Sequence, residues 1–596
     1  MGSGQYPLER FMAFDSIYSF APHPSGDSVA VGINTSGQVN VWLYSLKGLP
    51  RRLTPFTERR AVPVSWDPSG LKLLFTTDYQ GDEAWQLHLY DEGSGWFKDL
   101  VFEEGVTHIV SRRCWSPNGE LAFMANREDR GRFDLYIHDT VTGREVFVVK
   151  GFGGYQKPVW FSNALLLEDL RAHEDTTIYV VDVKRGSVTE LTPHRGEAVF
   201  DPIGEWGNGF FMLTDEGLEH AALAYYDLGS RSYRVVWRGE WGVEAADIGR
   251  DYLLFSVNVE GYSKLYALSL EVFRVREVWS SGGVVYGIAA ARGRDVFYVL
   301  LTKPSRPMDI YRVDLEGGGV VRVTDTFYGR VPEEVLVRPE SVWYESFDGR
   351  KIHAFIYRPR SEGRVPVLVV LHGGPESQSR PYYSALTQYL VSRGVAVCYP
   401  NFRGSSGYGK SFQKLIRRDW GGGELRDVEH LVKYLLSQPW VDPGRLGVFG
   451  GSFGGFLTLS CITRLPKYWR VAAEWFGPSN LVTFTKTVPP YWRRYMREWV
   501  GDPSDPSDLR MLEERSPIKY LDNVRCPLLV VQGARDIRVV KQESDQVVNE
   551  LRRRGVEVKY IVFEDEGHGF SKERNYKKAL KETVEFILKH LAGRGN

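Results

Sequence analysis

The sequence predicts a seven-bladed β-propeller over residues 15–333, followed by a doubly wound, mostly parallel α/β domain over residues 334–596. Three observations predict it. A five-residue strand pattern recurs seven times at a near-constant interval in the first half. From Ser341 onward continuous apolar strands alternate with helical segments. Several of those later strands run straight into glycine-rich turns. A leading segment, residues 1–14, is expected to pack on the second domain.

The first half carries a repeat, and a fixed period of about 20–50 residues marks stacked or radial architectures. Its copies are Val41–Ser45, Leu87–Asp91, Leu135–Asp139, Ile178–Asp182, Leu223–Asp227, Leu265–Ser269 and Ile310–Asp314. Successive spacings are 46, 48, 43, 45, 42 and 45 residues. Pro/Gly turns such as Pro24-Ser25-Gly26, Pro68-Ser69-Gly70 and Pro117-Asn118-Gly119 precede most copies. Each turn leads into an alternating run, for example Leu71–Thr77, whose period of two argues strand. Four short strands per period make one blade, and closing the ring leaves only short edges.

The second half changes design. Val365–Gly374, Val395–Gly404, Leu446–Gly455, Pro527–Gly533 and Val556–Asp565 are apolar strands, most of them ending in turns. Arg426–Leu436 and Asn575–Ala592 have helical spacing. Near-continuous apolar strands need cover on both faces, which is the condition of a parallel sheet. Ligands of such sheets sit beyond the carboxyl ends of the strands, so the residues just after each strand carry the argument.

Composition bounds the function classes. The 596 residues include 75 Lys plus Arg and 75 Asp plus Glu, so there is no basic excess to favour nucleic acid or an anionic membrane. The four cysteines, Cys114, Cys398, Cys461 and Cys526, are far apart and form no CxxC or zinc-ligand spacing. The N-terminus lacks a charged segment followed by an apolar core, and the apolar runs are of strand length. A soluble, cytoplasmic chain with no membrane partner is expected, and no HExxH, P-loop or dinucleotide fingerprint points to a metal or cofactor.

Gly450-Gly451-Ser452-Phe453-Gly454 is a G-x-S-x-G string between the strand Leu446–Phe449 and a helix-like run, Phe456–Thr463. A sharp turn there exposes the Ser452 hydroxyl at a helix N-terminus. A serine nucleophile needs a base and an acid, in the α/β-hydrolase chain order Ser, acid, His. His568, between Gly567 and Gly569 after the last strand, fits the base. Asp536, three residues past Gly533, is the preferred acid, with Asp565 as the competitor. Two backbone N–H groups, from Phe453 and from Gly374 in His372-Gly373-Gly374-Pro375, would form the oxyanion hole. Arg538 shares the Asp536 loop and either grips substrate or pairs with a neighbouring acid. Trp492, Tyr495 and Met496, with Trp499, lie on one helical face and form either a core stripe or an apolar side-chain pocket.

On these strings, and on Pro400–Gly409, Trp420-Gly421-Gly422 and Asp536-Ile537-Arg538-Val539, the second half resembles the prolyl oligopeptidase family of serine peptidases, most closely its acylaminoacyl-peptidase branch. The resemblance implies a Ser452–His568–Asp536 triad in an α/β-hydrolase domain. It implies oxyanion donors at Phe453 and Gly374, and an Arg538 that holds a substrate carbonyl. It places part of an apolar specificity pocket at Trp492–Met496. It implies a propeller that keeps folded proteins from the active site, short peptides as substrates, and no cofactor. A homo-oligomer is compatible with it. The chain departs from the family in two places. His372 stands where some branches carry an oxyanion tyrosine, which favours the acylaminoacyl type. Val540 stands where a proline is common. Paired glutamates that grip a substrate amine in dipeptidyl peptidases have no matched context here, although Glu103-Glu104 and Glu333-Glu334 are present. The expected reaction is release of an N-acylated residue from a peptide. The alternatives are a dipeptidyl- or oligopeptidase of the same family, or a carboxylesterase using the same triad.

Overall fold

The computed structural model describes residues 6–152, 155–162, 164–172 and 174–591. Residues 1–5 of the leading segment and Ala592 of the last expected helix lie outside them. The first half forms seven four-stranded antiparallel sheets, each built from four consecutive strands. All seven copies of the repeat fall in the third strand of a blade, from Asn40–Ser45 in the first to Arg306–Asp314 in the seventh. In blades 2, 3 and 5 these strands are nearly continuous in burial, because both faces of a blade are covered by its neighbours; Gln86–Asp91 is one example. The ring closes by packing of blade 7 on blade 1. Phe20, Val29 and Val31 meet Ala289, Tyr298 and Ile310, and the Tyr298 hydroxyl donates to Gly26 O at 2.9 Å.

The innermost strands surround a central channel of about 890 Å³. Arg112, Arg113, Lys157, Glu168, Asp201 and Asp247 line it.

The second half is an eight-stranded sheet. Its strands in chain order are β1 (Glu340–Glu345), β2 (Lys351–Tyr357), β3 (Val365–Leu371), β4 (Ala396–Asn401), β5 (Val441–Gly451), β6 (Val471–Trp475), β7 (Leu528–Gly533) and β8 (Val558–Phe563). The spatial order is β1-β2-β4-β3-β5-β6-β7-β8. β1–β2 and β2–β4 pair antiparallel; all other pairs are parallel. Helices cover both faces: Gly423–Leu436 and Phe453–Arg464 on one, Ala385–Ser392 and Glu573–Leu591 on the other. The short helix Leu8–Phe11 packs on the second face, where the Tyr383 hydroxyl donates to Phe11 O at 2.7 Å. Among the described residues no helix is long and apolar enough to cross a membrane.

The propeller meets this domain in a regular way. In every blade the loop between the second and third strands touches it. Gln38 of blade 1 bridges to Lys572, and Gly81 of blade 2 packs on Gly567. Gly131 of blade 3 approaches Pro490, and Glu174 of blade 4 pairs with Arg417 at 2.7 Å. Glu219 of blade 5 accepts the Ser411 N–H at 3.0 Å. Gly261 of blade 6 accepts from Arg380 at 2.8 Å, and Pro304 of blade 7 accepts from Gln388 at 3.0 Å. Seven consecutive hairpin loops thus form a lid over the carboxyl ends of the β-strands, where the parallel sheet puts its site.

Candidate active site

Ser452 occupies the single residue between β5 and the helix Phe453–Arg464, with φ +56° and ψ −124°. That conformation costs roughly 1–3 kcal/mol for a residue with a side chain. Its neighbours must be small. A Cβ on Gly450 would lie 2.3 Å from Gly454 O, and one on Gly454 would lie 2.1 Å from Leu371 O. The Ser452 N–H donates to Trp475 O at 2.9 Å, which ties the turn to β6.

The structure brings Ser452, His568 and Asp536 together across 116 and 32 residues of chain. His568 Nε2 lies 3.0 Å from Ser452 Oγ, and His568 Nδ1 lies 2.7 Å from Asp536 Oδ2. A carboxylate only accepts, so the Nδ1 proton sits on the Asp536 side and Nε2 is left to accept from the serine hydroxyl. The other Asp536 oxygen accepts the N–H groups of Arg538 and Val539, both at 2.9 Å, which fixes the buried carboxylate in place. Asp565 is turned elsewhere. Burial raises its pKa, but bonds from Lys572 and Arg574 outweigh that and hold it down at about 2. Of the two acids left open by the sequence, Asp536 is the one on the imidazole.

Phe453 is the first residue of its helix, so its N–H has no intrahelical acceptor. Among the described residues neither that N–H nor the one of Gly374 donates to a protein group. Gly373 packs beside the serine: a Cβ there would lie 3.4 Å from Ser452 Cβ. His372 is stacked on Phe402 at 4.2 Å, and burial pushes its pKa down to about 4, so it is a neutral ring.

Of the two roles left open for Arg538, the structure shows the ion pair. It pairs with Glu83 of blade 2 at 2.8 Å and lies over the Trp492 ring at 5.4 Å, while its Nε has no hydrogen-bond partner among the described residues. Glu83 has φ +56°, and its loop also supplies the Gly81 contact to the His568 loop. Tyr495 and Met496 are placed differently from Trp492. Tyr495 accepts from Tyr155 N at 2.9 Å and donates to Leu170 O at 3.1 Å, which makes it an anchor between the domains. Met496 is buried in the core with Trp420, Phe453 and Phe484. Like Trp492, neither lines the cavity at Ser452. Glu103 is taken by Arg127, and Glu333 accepts from Ser305, both in settings outside that cavity.

The cavity beside Ser452 measures about 380 Å³. Its walls include residues the sequence reading missed: Tyr286 of blade 7, Ser377, Tyr382, Tyr399 and Phe476. Phe476 directly follows β6, where a strand-end argument could have found it. It has φ +42° and holds its ring 4.7 Å from the His568 ring. Among the described residues no group of three His, Cys, Asp or Glu side chains is arranged to hold a metal ion.

Comparison with known proteins agrees with this architecture. The family model described as the prolyl oligopeptidase family matches residues 381–594. Dipeptidyl aminopeptidase BIII of Pseudoxanthomonas mexicana is 27% identical over 96% of this chain and 86% of its own. The acylamino-acid-releasing enzyme of Arabidopsis thaliana is 34% identical over 37% of this chain and 30% of its own. The structure of a puromycin-hydrolyzing peptidase of Mycobacterium tuberculosis superposes with a TM-score of 0.83 at 22% identity, covering 100% of this chain and 98% of the other. Propeller, sheet and sequence agree: this chain is a serine-type peptidase of the prolyl oligopeptidase family.

Proposed function

We propose that the protein is an exopeptidase of short peptides and that it releases an N-acylated residue. The observation that carries the reading is the hydrogen-bonded run Ser452–His568–Asp536 beneath a lid of seven propeller loops. In the proposed cycle the Ser452 oxygen attacks the scissile carbonyl while His568 Nε2 takes its proton. The N–H groups of Phe453 and Gly374 stabilise the oxyanion. His568 returns the proton to the leaving nitrogen as the C–N bond breaks, and water then hydrolyses the acyl-enzyme by the same route. Asp536 holds the tautomer and stabilises the imidazolium. Arg538 and Trp492 hold the acyl side of the substrate. With all four thiols free and buried, the reading assigns the chain to the cytoplasm.

The N-acyl preference rests on Glu83. It is the carboxylate paired with Arg538, and its charge is already matched there. A substrate ammonium would have to displace that pair, whereas a neutral acylated terminus would not. The same carboxylate favours a second reading, a dipeptidyl aminopeptidase, in which Glu83 turns to the substrate amine; the name of the Pseudoxanthomonas relative points that way. A panel of matched peptides with free, acetylated and longer N-termini, read by mass spectrometry, tests both. Cleavage of acetylated peptides supports the first reading. Release of dipeptides from free-amine peptides only, abolished in Glu83→Gln, replaces it with the second. Hydrolysis of aryl esters alone would make the protein a carboxylesterase.

A further inference from the structure

The cavity at Ser452 has a definite side. Its walls come from β3 and the loop after it (Leu371, His372, Gly373, Ser377, Tyr382), from β4 (Tyr399), from the end of β5, and from Phe476. In the strand order it lies toward β3 and β4, while Asp536 and Arg538 follow β7 on the other side of Ser452. Neither Arg538 nor Trp492 lines it. If Arg538 and Trp492 hold the acyl half of a peptide, the half that leaves faces this cavity. The position of Phe476 agrees, since it borders both the cavity and the imidazole that protonates the leaving nitrogen.

Among the described residues no Asp, Glu, Lys or Arg lines the cavity. Burial holds its titratable groups neutral: Tyr382 and Tyr399 are pushed up, and His372 is pushed down to about 4. Arg380, whose charge is felt at Tyr286, is engaged by Glu244 at 2.7 Å, by Gly261 O and by Ser263. What the cavity offers is aromatic faces and the hydroxyls of Tyr286, Ser377 and Tyr382, which have no hydrogen-bond partner among the described residues. At about 380 Å³ it is near the lower end of ligand sites, which run roughly 300–1,000 Å³. Tyr286 also lines the central channel, so the propeller supplies one wall of this cavity at the channel's inner end.

We propose that this cavity is the leaving-group site, that it takes an aromatic residue continued by an amide or a further peptide, and that it rejects a leaving residue that ends in a free carboxylate. A carboxylate here would lose water without gaining a cation. A neutral amide would find hydroxyl partners and a ring to stack on. The inference rests on the peptidase reading above and adds the substrate class of its second half.

The test uses three substrates with one acyl half, chosen from the panel. One leaves tyrosine amide, one leaves tyrosine with its free carboxylate, and one is the methyl ester. The amide is expected to exceed the free acid by about tenfold or more in kcat/KM. Tyr286→Ala is expected to lower kcat/KM for the tyrosine amide substrate at least roughly fivefold more than for the methyl ester, and Tyr286→Phe to recover most of that difference through its ring. Tyr286 is half exposed, and an unchanged unfolding midpoint checks that the variants fold. Amide and acid rates within twofold, or equal losses on peptide and ester in Tyr286→Ala, would overturn the proposal while leaving the peptidase reading intact. Hydrolysis of the ester alone would remove both.

Discussion

Asp536→Asn gives the sharpest test of the catalytic geometry, because the structure dictates which way the new amide must point. One oxygen of Asp536 accepts two backbone N–H groups, from Arg538 and Val539, each at 2.9 Å. An NH₂ group placed there would face two donors, so the amide oxygen must stay on that side. The NH₂ group is then forced to the side of His568, at the 2.7 Å position now held by the carboxylate. It donates to Nδ1, so the ring proton moves to Nε2, and Nε2 can no longer accept from the Ser452 hydroxyl at 3.0 Å. The substitution is isosteric and keeps both backbone bonds, so the fold survives with the wrong tautomer. The expected fall in kcat is on the order of 10⁴, with KM changed by less than about threefold. Steady-state hydrolysis of the best panel substrate measures both, and the rate of labelling by a fluorophosphonate reports the serine independently. A loss below about tenfold, with normal thermal unfolding, would show that Asp536 does not set the imidazole tautomer, and the reasoning would fail.

Three further outcomes follow from particular contacts. Ser452→Ala should lose about five orders of magnitude or more in kcat while keeping its unfolding midpoint, as activity and circular-dichroism melts will show. Gly81→Ala places a Cβ 2.9 Å from Gly567 N at a backbone φ of +80°, so the blade 2 loop must lift from the His568 loop. Activity should fall about tenfold or more without any change to the triad residues, and faster amide exchange at 566–570 would identify the cause. Glu474 is buried beside the serine turn, where burial pushes its pKa up to about 8 against a bond from the Gly477 N–H. In the unfolded chain it ionises near 4.5, so the folded form binds the proton more tightly. The stability this gives is complete below pH 4.5 and is lost as pH rises toward 8. Glu474→Gln cannot lose a proton, so its stability relative to wild type should climb over that window by a few kcal/mol at most, read from denaturant melts at pH 5 and pH 8.

How much of this could be read beforehand depended on whether the signal was local. The seven third strands were visible because a strand buried on both faces by neighbouring blades must repeat its apolar pattern once per blade. Ser452 was visible because Gly450 and Gly454 are required within two residues of it. His568 and Asp536 followed from the rule that sites lie past the ends of parallel strands. The same rule could not separate Asp536 from Asp565, since both follow a strand. What separates them is Lys572 and Arg574 on one, and two backbone N–H groups beside an imidazole on the other. Tyr495 shows the opposite failure. Its spacing marked an apolar face correctly, but spacing is silent on what covers a face, and here the cover is blade 4. Tyr286 and Glu83 lay further out of reach. Each belongs to a blade with no local mark of function; Glu83 comes in on the lid loop of blade 2, and Tyr286 on the innermost strand of blade 7. A pattern that repeats seven times conceals where the ring departs from symmetry, and those departures are where the propeller meets Arg538 and the cavity beside Ser452.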